Sequence, residues 1–367
     1  SNDVNSERRE MVDGAAAISR GALDAGCNFF AGYPITPASG ILGHMLRELP
    51  KIGGVGIQGE DEISSIGHCI GAATAGATAF TASSGPGLSL YSENIGLAIM
   101  MEVPLVIVIS QRLGPSTGAA TAAAQGDIQF MRWCTSGGYP AIVLSPTNIP
   151  ESYHLTKRAF KLSRRFRNPV FIATDKETVM TTESVAVTEM TNAPDWPEIP
   201  DELVGEPLNP YQINGQIHHY TGSSHTEEGH ITKDPGIIAD LNERLRQKIE
   251  SRVDELSLIK SDLEDGAETL ILSYGISARS MEAAVNQLRG EGEKVSALTV
   301  YSLWPIPEQK ILKCLSGIKR IIIPEMNHGQ YRHEIKRLTN NEIQLVGVNR
   351  VDTFLITPEE IVEAYSG

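Results

Sequence analysis

The four cysteines of this 367-residue sequence, Cys27, Cys69, Cys134 and Cys314, lie far apart, and no CxxC pair occurs. That spacing excludes a local four-cysteine zinc or iron–sulfur site and suits a reducing compartment. No apolar run reaches the length of a membrane span, and the N-terminal stretch is polar, without a signal-peptide core. A cytoplasmic protein with no membrane partner is expected. Positive charge is in the minority, with 31 Lys and Arg against 45 Asp and Glu and a net charge of −14. Nucleic acid is thereby disfavoured as the main partner, since phosphate binding needs a basic surface. The one basic run (Lys157, Arg158, Arg164, Arg165, Arg167) alternates with apolar residues at helical spacing and reads as the solvated side of a helix. No Walker A sequence is present. Gly54, Gly56 and Gly59 do satisfy G-x-G-x-x-G, but Glu48–Ile52 before them carries a proline and makes a poor strand. The acid that a nucleotide ribose needs about 20 residues later is also missing, so a dinucleotide site is rejected.

A hydrophobic fraction of 41% and a charged fraction of 21% fit a globular chain of two domains. Met11–Ala25 reads as an alanine-rich helix stopped by Gly26. Short apolar strands are predicted at Asn28–Ala31, Val55–Ile57, Ala79–Ala82, Leu105–Ile109, Ala141–Leu144 and Val170–Ala173. Leu105–Ile109 lacks polar alternation, as expected of a strand covered on both faces. Residues 1–195 thus form a doubly wound α/β domain, followed by a connector and linker helix over 196–262. Ile237–Leu258 is predicted as one amphipathic helix. Residues 263–367 repeat the α/β pattern on a smaller scale, with strands at Thr269–Leu272, Lys294–Thr299, Ile318–Ile323 and Gln344–Val348.

Four segments have local chemistry beyond scaffolding. In Gly32-Tyr33-Pro34-Ile35-Thr36-Pro37, two prolines fix the backbone around a hydroxyl at a strand's end. The segment serves either a ligand anion or a helix cap. Glu60-Asp61-Glu62 opens a helix of small and apolar residues. Acids suit a helix's first turn, but a partly buried Glu62 is also suited to exchanging a proton with a heterocycle nitrogen. Thr81–Gly87, containing Ser84 and Gly85, offers small residues where backbone amides can approach a ligand. Arg112, directly after the buried strand, projects toward Thr36 and has the planar fork that suits a carboxylate, unless it is an ordinary surface arginine.

YPITP, EDE, SGPG, GPSTG and Gln125-Gly126-Asp127 come in an order and spacing that resemble the α subunits of the 2-oxoacid:ferredoxin oxidoreductases. The 2-oxoglutarate and branched-chain members are matched more closely than the pyruvate enzymes. Ser273–Ser277, Leu303–Pro307 and Pro324–Asn327 extend the resemblance over nearly the whole chain. It implies a transketolase-like pyrimidine-binding domain followed by a transketolase C-terminal-like domain. It also implies thiamine diphosphate shared with a β subunit that supplies the diphosphate and Mg2+ site, [4Fe-4S] clusters on partner subunits including γ-type ones, coenzyme A as cosubstrate and ferredoxin as acceptor. No Gly-Asp-Gly motif with a following asparagine is present, in keeping with that division. By resemblance Glu62 hydrogen-bonds the aminopyrimidine as the catalytic carboxylate. Tyr33, Pro34, Ile35, Ser84 and Gly85 border the cofactor, and Thr36 and Arg112 hold the substrate carboxylate. Gly14–Ala17 and the loop Thr121–Gln125 depart from the family pattern, the latter by lacking a basic residue where the substrate side chain is expected. His218, His219, His225 and His230 have no helical ligand spacing and are read as a loop rather than a metal site. A non-catalytic assembly subunit and a carboligating thiamine enzyme are the competing readings.

Overall fold

The computed structural model describes residues 7–204, 218–339 and 341–367. The first unit contains β1 (Arg9–Val12), β2 (Phe29–Gly32), β3 (Val55–Gln58), β4 (Ala79–Ser83), β5 (Leu105–Gln111), β6 (Ile142–Leu144), β7 (Pro169–Asp175) and β8 (Glu183–Ala186). The six predicted strands of this half are all present to within two residues. They form a parallel sheet in the order β6-β7-β5-β4-β2-β3. β5 and β7 are buried at every position because both sheet faces are covered. One face meets the helices Gly14–Asp24, Ser39–Glu48 and Ile149–Phe166 through Phe30, Phe80, Val106 and Val108. Helices Glu62–Thr74 and Gly85–Met100 cover the other through Ile66, Leu88 and Ile95.

The second unit contains β9 (Ile259–Asp262), β10 (Thr269–Ser273), β11 (Val295–Val300), β12 (Ser302–Trp304), β13 (Arg320–Glu325) and β14 (Gln344–Asn349). Its sheet runs β14-β13-β10-β11-β9, with β9 antiparallel at the edge. β12 does not belong to it. After Tyr301 the chain crosses over, and β12 pairs antiparallel with β6 as a seventh strand of the first sheet. The two sheets also share a core, in which Ile107, Ile109 and Phe171 join Leu272, Leu298 and Ile323. Trp304 fixes the crossing by donating its indole N–H to the Ile128 carbonyl at 3.0 Å.

Three expectations are corrected. The first helix begins at Gly14 rather than Met11, because Arg9–Val12 pairs with Glu183–Ala186 and Asp13 caps the helix. The linker helix is Pro235–Glu250, capped by Asp234, and Val253–Leu256 is a separate turn. The basic run is a solvated face only in part: Arg164 is exposed and Lys157 half-buried, but Arg158, Arg165 and Arg167 are buried. Arg158 donates to the Pro197 carbonyl at 2.7 Å, and Arg165 pairs with Glu255. Both tie the segment after β8 and the linker back onto the first unit.

Glu102 anchors the linker helix. It is buried with φ +53°, at the end of helix Gly85–Met100. Arg244 reaches it with two bonds at 2.8 and 3.0 Å, Lys248 with one at 3.1 Å, and Arg167 lies 3.7 Å away. Burial would raise the Glu102 carboxyl, but Lys248, Arg244 and Arg167 outweigh it and hold it down at about 2. The folded-state value lies below the ordinary 4.5, so this stabilisation is intact above that pH and is lost as acid approaches pH 2. Glu102→Gln is expected to lose about 3–5 kcal/mol, because the buried Lys248 and half-buried Arg244 lose the carboxylate they bind. Urea unfolding at neutral pH measures this. A loss under about 1 kcal/mol would show that the linker is held by apolar packing instead.

Candidate active site

β2 lies between β3 and β4, so the chain steps outward to β3 and then back across β2 to β4. Such a reversal opens a crevice at the carboxyl ends of the strands, where open α/β sheets bind ligands. The helix Glu62–Thr74 makes the return crossing and starts at the crevice. Its three adjacent acids divide by role. Glu60 is exposed, and Asp61 is the N-cap, accepting from the Ser64 amide at 2.7 Å in a reciprocal capping box. Glu62 is turned inward and only 8% exposed. A side chain at Gly87 would overlap the Ser83 hydroxyl and come within 3.1 Å of Glu62 Cγ, so only glycine leaves Glu62 its place.

The segment after β2 carries Tyr33 and Pro34 exposed, Ile35 and Thr36 half-buried and Pro37 buried after a cis peptide bond. Arg112 follows β5 and is 9% exposed. Its Nη1 donates to the Thr36 carbonyl at 2.8 Å, so these two expected substrate residues meet through the backbone rather than through the hydroxyl. Arg112 Nε is buried and has no partner. Ser84 caps the helix Gly85–Met100 by position, yet its hydroxyl makes no cap bond and is fully buried. The Ser83, Ser84 and Ser110 hydroxyls and Asp127 Oδ2 are likewise buried without partners. A buried unpartnered polar atom costs about 1–3 kcal/mol. Several gathered at strand ends mark a place where an external group or water completes the bonding.

Asp127 is the residue that sequence reasoning passed over. Its carboxylate presses on Gly85, where a Cβ would lie 2.8 Å from Oδ1, and its amide donates to Gln111 Oε1 at 3.1 Å. Burial pushes its carboxyl up to about 6, against the opposing pull of Arg112. The only advance sign was its place in the Gln-Gly-Asp trio.

The loop from Arg112 to Asp127 is clipped to the second unit by Gln125. Gln125 Nε2 donates to the Tyr274 carbonyl at 3.0 Å, and Oε1 accepts from the Ser277 hydroxyl at 2.7 Å and the Met326 amide at 3.0 Å. Asn327 donates to the Gln125 carbonyl at 2.7 Å and to the Tyr274 hydroxyl at 3.0 Å. Tyr274 in turn donates to the buried Glu325 at 2.6 Å. Three sequence motifs distant along the chain therefore meet in one network. Gly118 in GPSTG has φ +49°, and a side chain there would overlap the Leu113 carbonyl. Ala122, Ala123 and Ala124 face inward, and Ala123 joins Ile276 and Met281 in an apolar cluster. Ala123 of this run is thus an anchor, where a basic side chain would be buried among apolar groups, whereas Ala124 lines the cleft between the units. Between the units lies a cleft of about 500 Å³, lined by Pro86, Arg112 and Asp127 on one wall and Asn327, His328 and Gln330 on the other.

Among the described residues no group of three His, Cys, Asp or Glu could hold a metal ion. His219 and His230 have ring centroids 4.4 Å apart, and His225 Nδ1 lies 2.9 Å from the Ser223 carbonyl.

The chain matches the family model described as pyruvate flavodoxin/ferredoxin oxidoreductase, thiamine diphosphate-binding, over residues 20–243. It also matches pyruvate:ferredoxin oxidoreductase core domain II over residues 267–361. It is 38% identical to the 2-oxoglutarate synthase subunit KorA of Methanocaldococcus jannaschii, covering 98% of this chain and 99% of that protein. A solved 2-oxoglutarate:ferredoxin oxidoreductase of Magnetococcus marinus, with 2-oxoglutarate, coenzyme A and succinyl-CoA bound, superposes with a TM-score of 0.88 at 29% identity. That match covers all of this chain and 66% of the longer solved one. A split-gene transketolase superposes with a TM-score of 0.58 at 13% identity over 97% of this chain and 98% of that one, a likeness of fold alone. The two units accordingly share the fold of a transketolase, and the first matches a thiamine diphosphate-binding family model. With both domain models and a full-length relative in agreement, the chain belongs to the 2-oxoacid:ferredoxin oxidoreductase family, as a subunit of its α type.

Proposed function

We propose that this chain, together with a β-type partner, catalyses the oxidative decarboxylation of a 2-oxoacid, 2-oxoglutarate first, to acyl-CoA and CO2 with electrons passed to ferredoxin. The observation that carries this reading is Arg112, held nine-tenths buried at the cleft with a free Nε. A fixed guanidinium in so dry a place suits a carboxylate, which it can bind with two parallel bonds. Thr36, whose carbonyl already accepts from Arg112, would offer its hydroxyl as a neutral donor. Division of the chain into residues 1–195, 196–262 and 263–367 belongs to the same reading, with β12 as the strand lent back to the first domain.

The residues fit thiamine diphosphate on structural grounds. Unpartnered Ser83, Ser84 and Ser110 hydroxyls offer bonding capacity at the strand ends, and Gly87, close-set against Ser83, keeps Glu62 in its place. Tyr33, Pro34 and Ile35 would border the aminopyrimidine, and Ser84 and Gly85 its other side. Thiamine diphosphate supplies the nucleophilic carbon and the electron sink that decarboxylation requires. Glu62 holds a proton at the ring nitrogen and exchanges it as the reaction proceeds. Arg112 and Thr36 fix the C1 carboxylate so that the bond to be broken is held in one orientation. Mg2+ and [4Fe-4S] clusters are assigned to partner chains, β-type and γ-type. A cytoplasmic setting agrees with four buried free cysteines, whose burial pushes Cys27, Cys69 and Cys134 up to about 12. Among the described residues no helix is long and apolar enough to cross a membrane.

Glu62→Gln in the assembled complex is expected to keep assembly and cut turnover by about two to four orders of magnitude, as for a lost proton-transfer group. Near-normal turnover would pass the role to another acid, Glu60 first. Arg112→Ala is expected to weaken kcat/KM for every 2-oxoacid by about 2–5 kcal/mol, since it removes one partner of a desolvated charge pair. A loss confined to one substrate would contradict a grip on the shared carboxylate. Comparing kcat/KM for 2-oxoglutarate, 2-oxoisovalerate, phenylglyoxylate and pyruvate tests the substrate assignment. An uncharged side chain winning by about tenfold, or 1.4 kcal/mol, would replace it.

A further inference from the structure

Arg112 and Asp127 share one cleft wall without touching. Arg112 is the charged group that acts on Asp127, yet it bonds to the Thr36 carbonyl and the two side chains form no ion pair. Asp127 Oδ2 is left buried and unpartnered. Nor can Asp127 withdraw. Its own amide is held by Gln111, its oxygens abut Gly85, and Gln125 two residues earlier is locked to the second unit. The polar side chains Asn327 and Gln330 across the cleft are neutral. His328 is the other titratable side chain on the cleft wall.

A substrate carboxylate engaging Arg112 therefore brings a second negative charge beside one that is fixed. In a desolvated site two carboxylates do not both stay ionised, and one of them takes up a proton. A 2-oxoacid carboxylate is far the weaker base, so the proton goes to Asp127. We propose that Asp127 is a further substrate-positioning residue: anionic substrate binds at Arg112 together with one proton, which settles on Asp127 and turns its carboxylate into an O–H donor to the bound anion. The proton comes from solvent and returns there when the anion leaves. The inference rests on the reading of Arg112 as the carboxylate holder.

The test uses the assembled holoenzyme and 2-hydroxyglutarate, which keeps both carboxylates but offers no carbonyl to react. Titration calorimetry at pH 7 in phosphate and in Tris counts the protons taken up, because the two buffers differ in ionisation enthalpy. Uptake approaching one proton is expected, since an apo value of about 6 leaves Asp127 mostly ionised beforehand. From pH 6.5 to 8 (test conditions, roughly spanning the rise above that value) affinity should fall by close to tenfold per pH unit, the limit for one coupled proton. Asp127→Asn should abolish the uptake and flatten that dependence, and it should bind more tightly than wild type at the upper end. His328→Asn should leave the uptake unchanged. Binding by wild type with no proton uptake overturns the inference, as does an Asp127→Asn variant that retains wild-type pH dependence or loss of uptake in His328→Asn. Arg112→Gln separates the two layers. If it binds 2-hydroxyglutarate as wild type does, the Arg112 reading itself fails. If it weakens binding at every pH while wild type takes up no proton, only the role of Asp127 fails.

Discussion

The Gln125 amide holds together what the site requires to be in one place. Its carbonyl end accepts from the Ser277 hydroxyl and the Met326 amide, and its nitrogen donates to the Tyr274 carbonyl. Each such bond contributes only about 0.5–1.5 kcal/mol net, but every group in the set is buried, and leaving one unmet costs more than making it yields. The side chain has a single satisfactory position, and the loop that carries Arg112 and Asp127 is fixed with it. Gly275 is part of the same constraint. It has φ +56°, and a Cβ there would lie 2.6 Å from Gln125 Nε2. The second unit thus sets where the first unit's cleft residues stand.

The contrast with the strand ends is instructive. Around Gln125 nearly every polar atom is matched, whereas the Ser83, Ser84 and Ser110 hydroxyls and Arg112 Nε are buried without partners. A protein that satisfies one buried network so fully does not leave a neighbouring one open for want of donors. Incomplete bonding concentrates at functional sites, where a ligand finishes it. The three acids of Glu60–Glu62 make the same point at smaller scale. One faces solvent, one is consumed by the cap, and one is left facing inward.

Much of this was legible in the residues. Strands such as Leu105–Ile109 announce themselves by unbroken apolar character, and a residue directly after one must project at the sheet's edge, which is how Arg112 and Thr36 could be placed together. Other features were hidden because their cause lies far away in the chain. β1 is four residues long and finds its partner more than 170 positions later, while Asp13 supplies an N-cap just as a helix ought to have. Arg158, Arg165 and Arg167 sit at helical spacing like solvated residues, and partners distant in the chain, among them Glu255, Glu102 and the Pro197, Glu202 and Val204 carbonyls, explain why they are inside. Beyond its place in the Gln-Gly-Asp trio Asp127 showed no peculiarity in sequence, because what singles it out is Gly85 and an arginine 15 positions earlier.

β12 carries a consequence for how such proteins can be rearranged. It is encoded within the second unit but completes the outer edge of the first sheet beside β6. Separating the polypeptide between the two sheets would strip β6 of its neighbour and leave a bare edge, the kind of surface that recruits foreign strands. Exchange of C-terminal modules between relatives is therefore constrained at the crossing. An incoming module must bring a strand in register with Ile142–Leu144 and an indole or its equivalent for the Ile128 carbonyl. The two modules fit each other only as a matched pair.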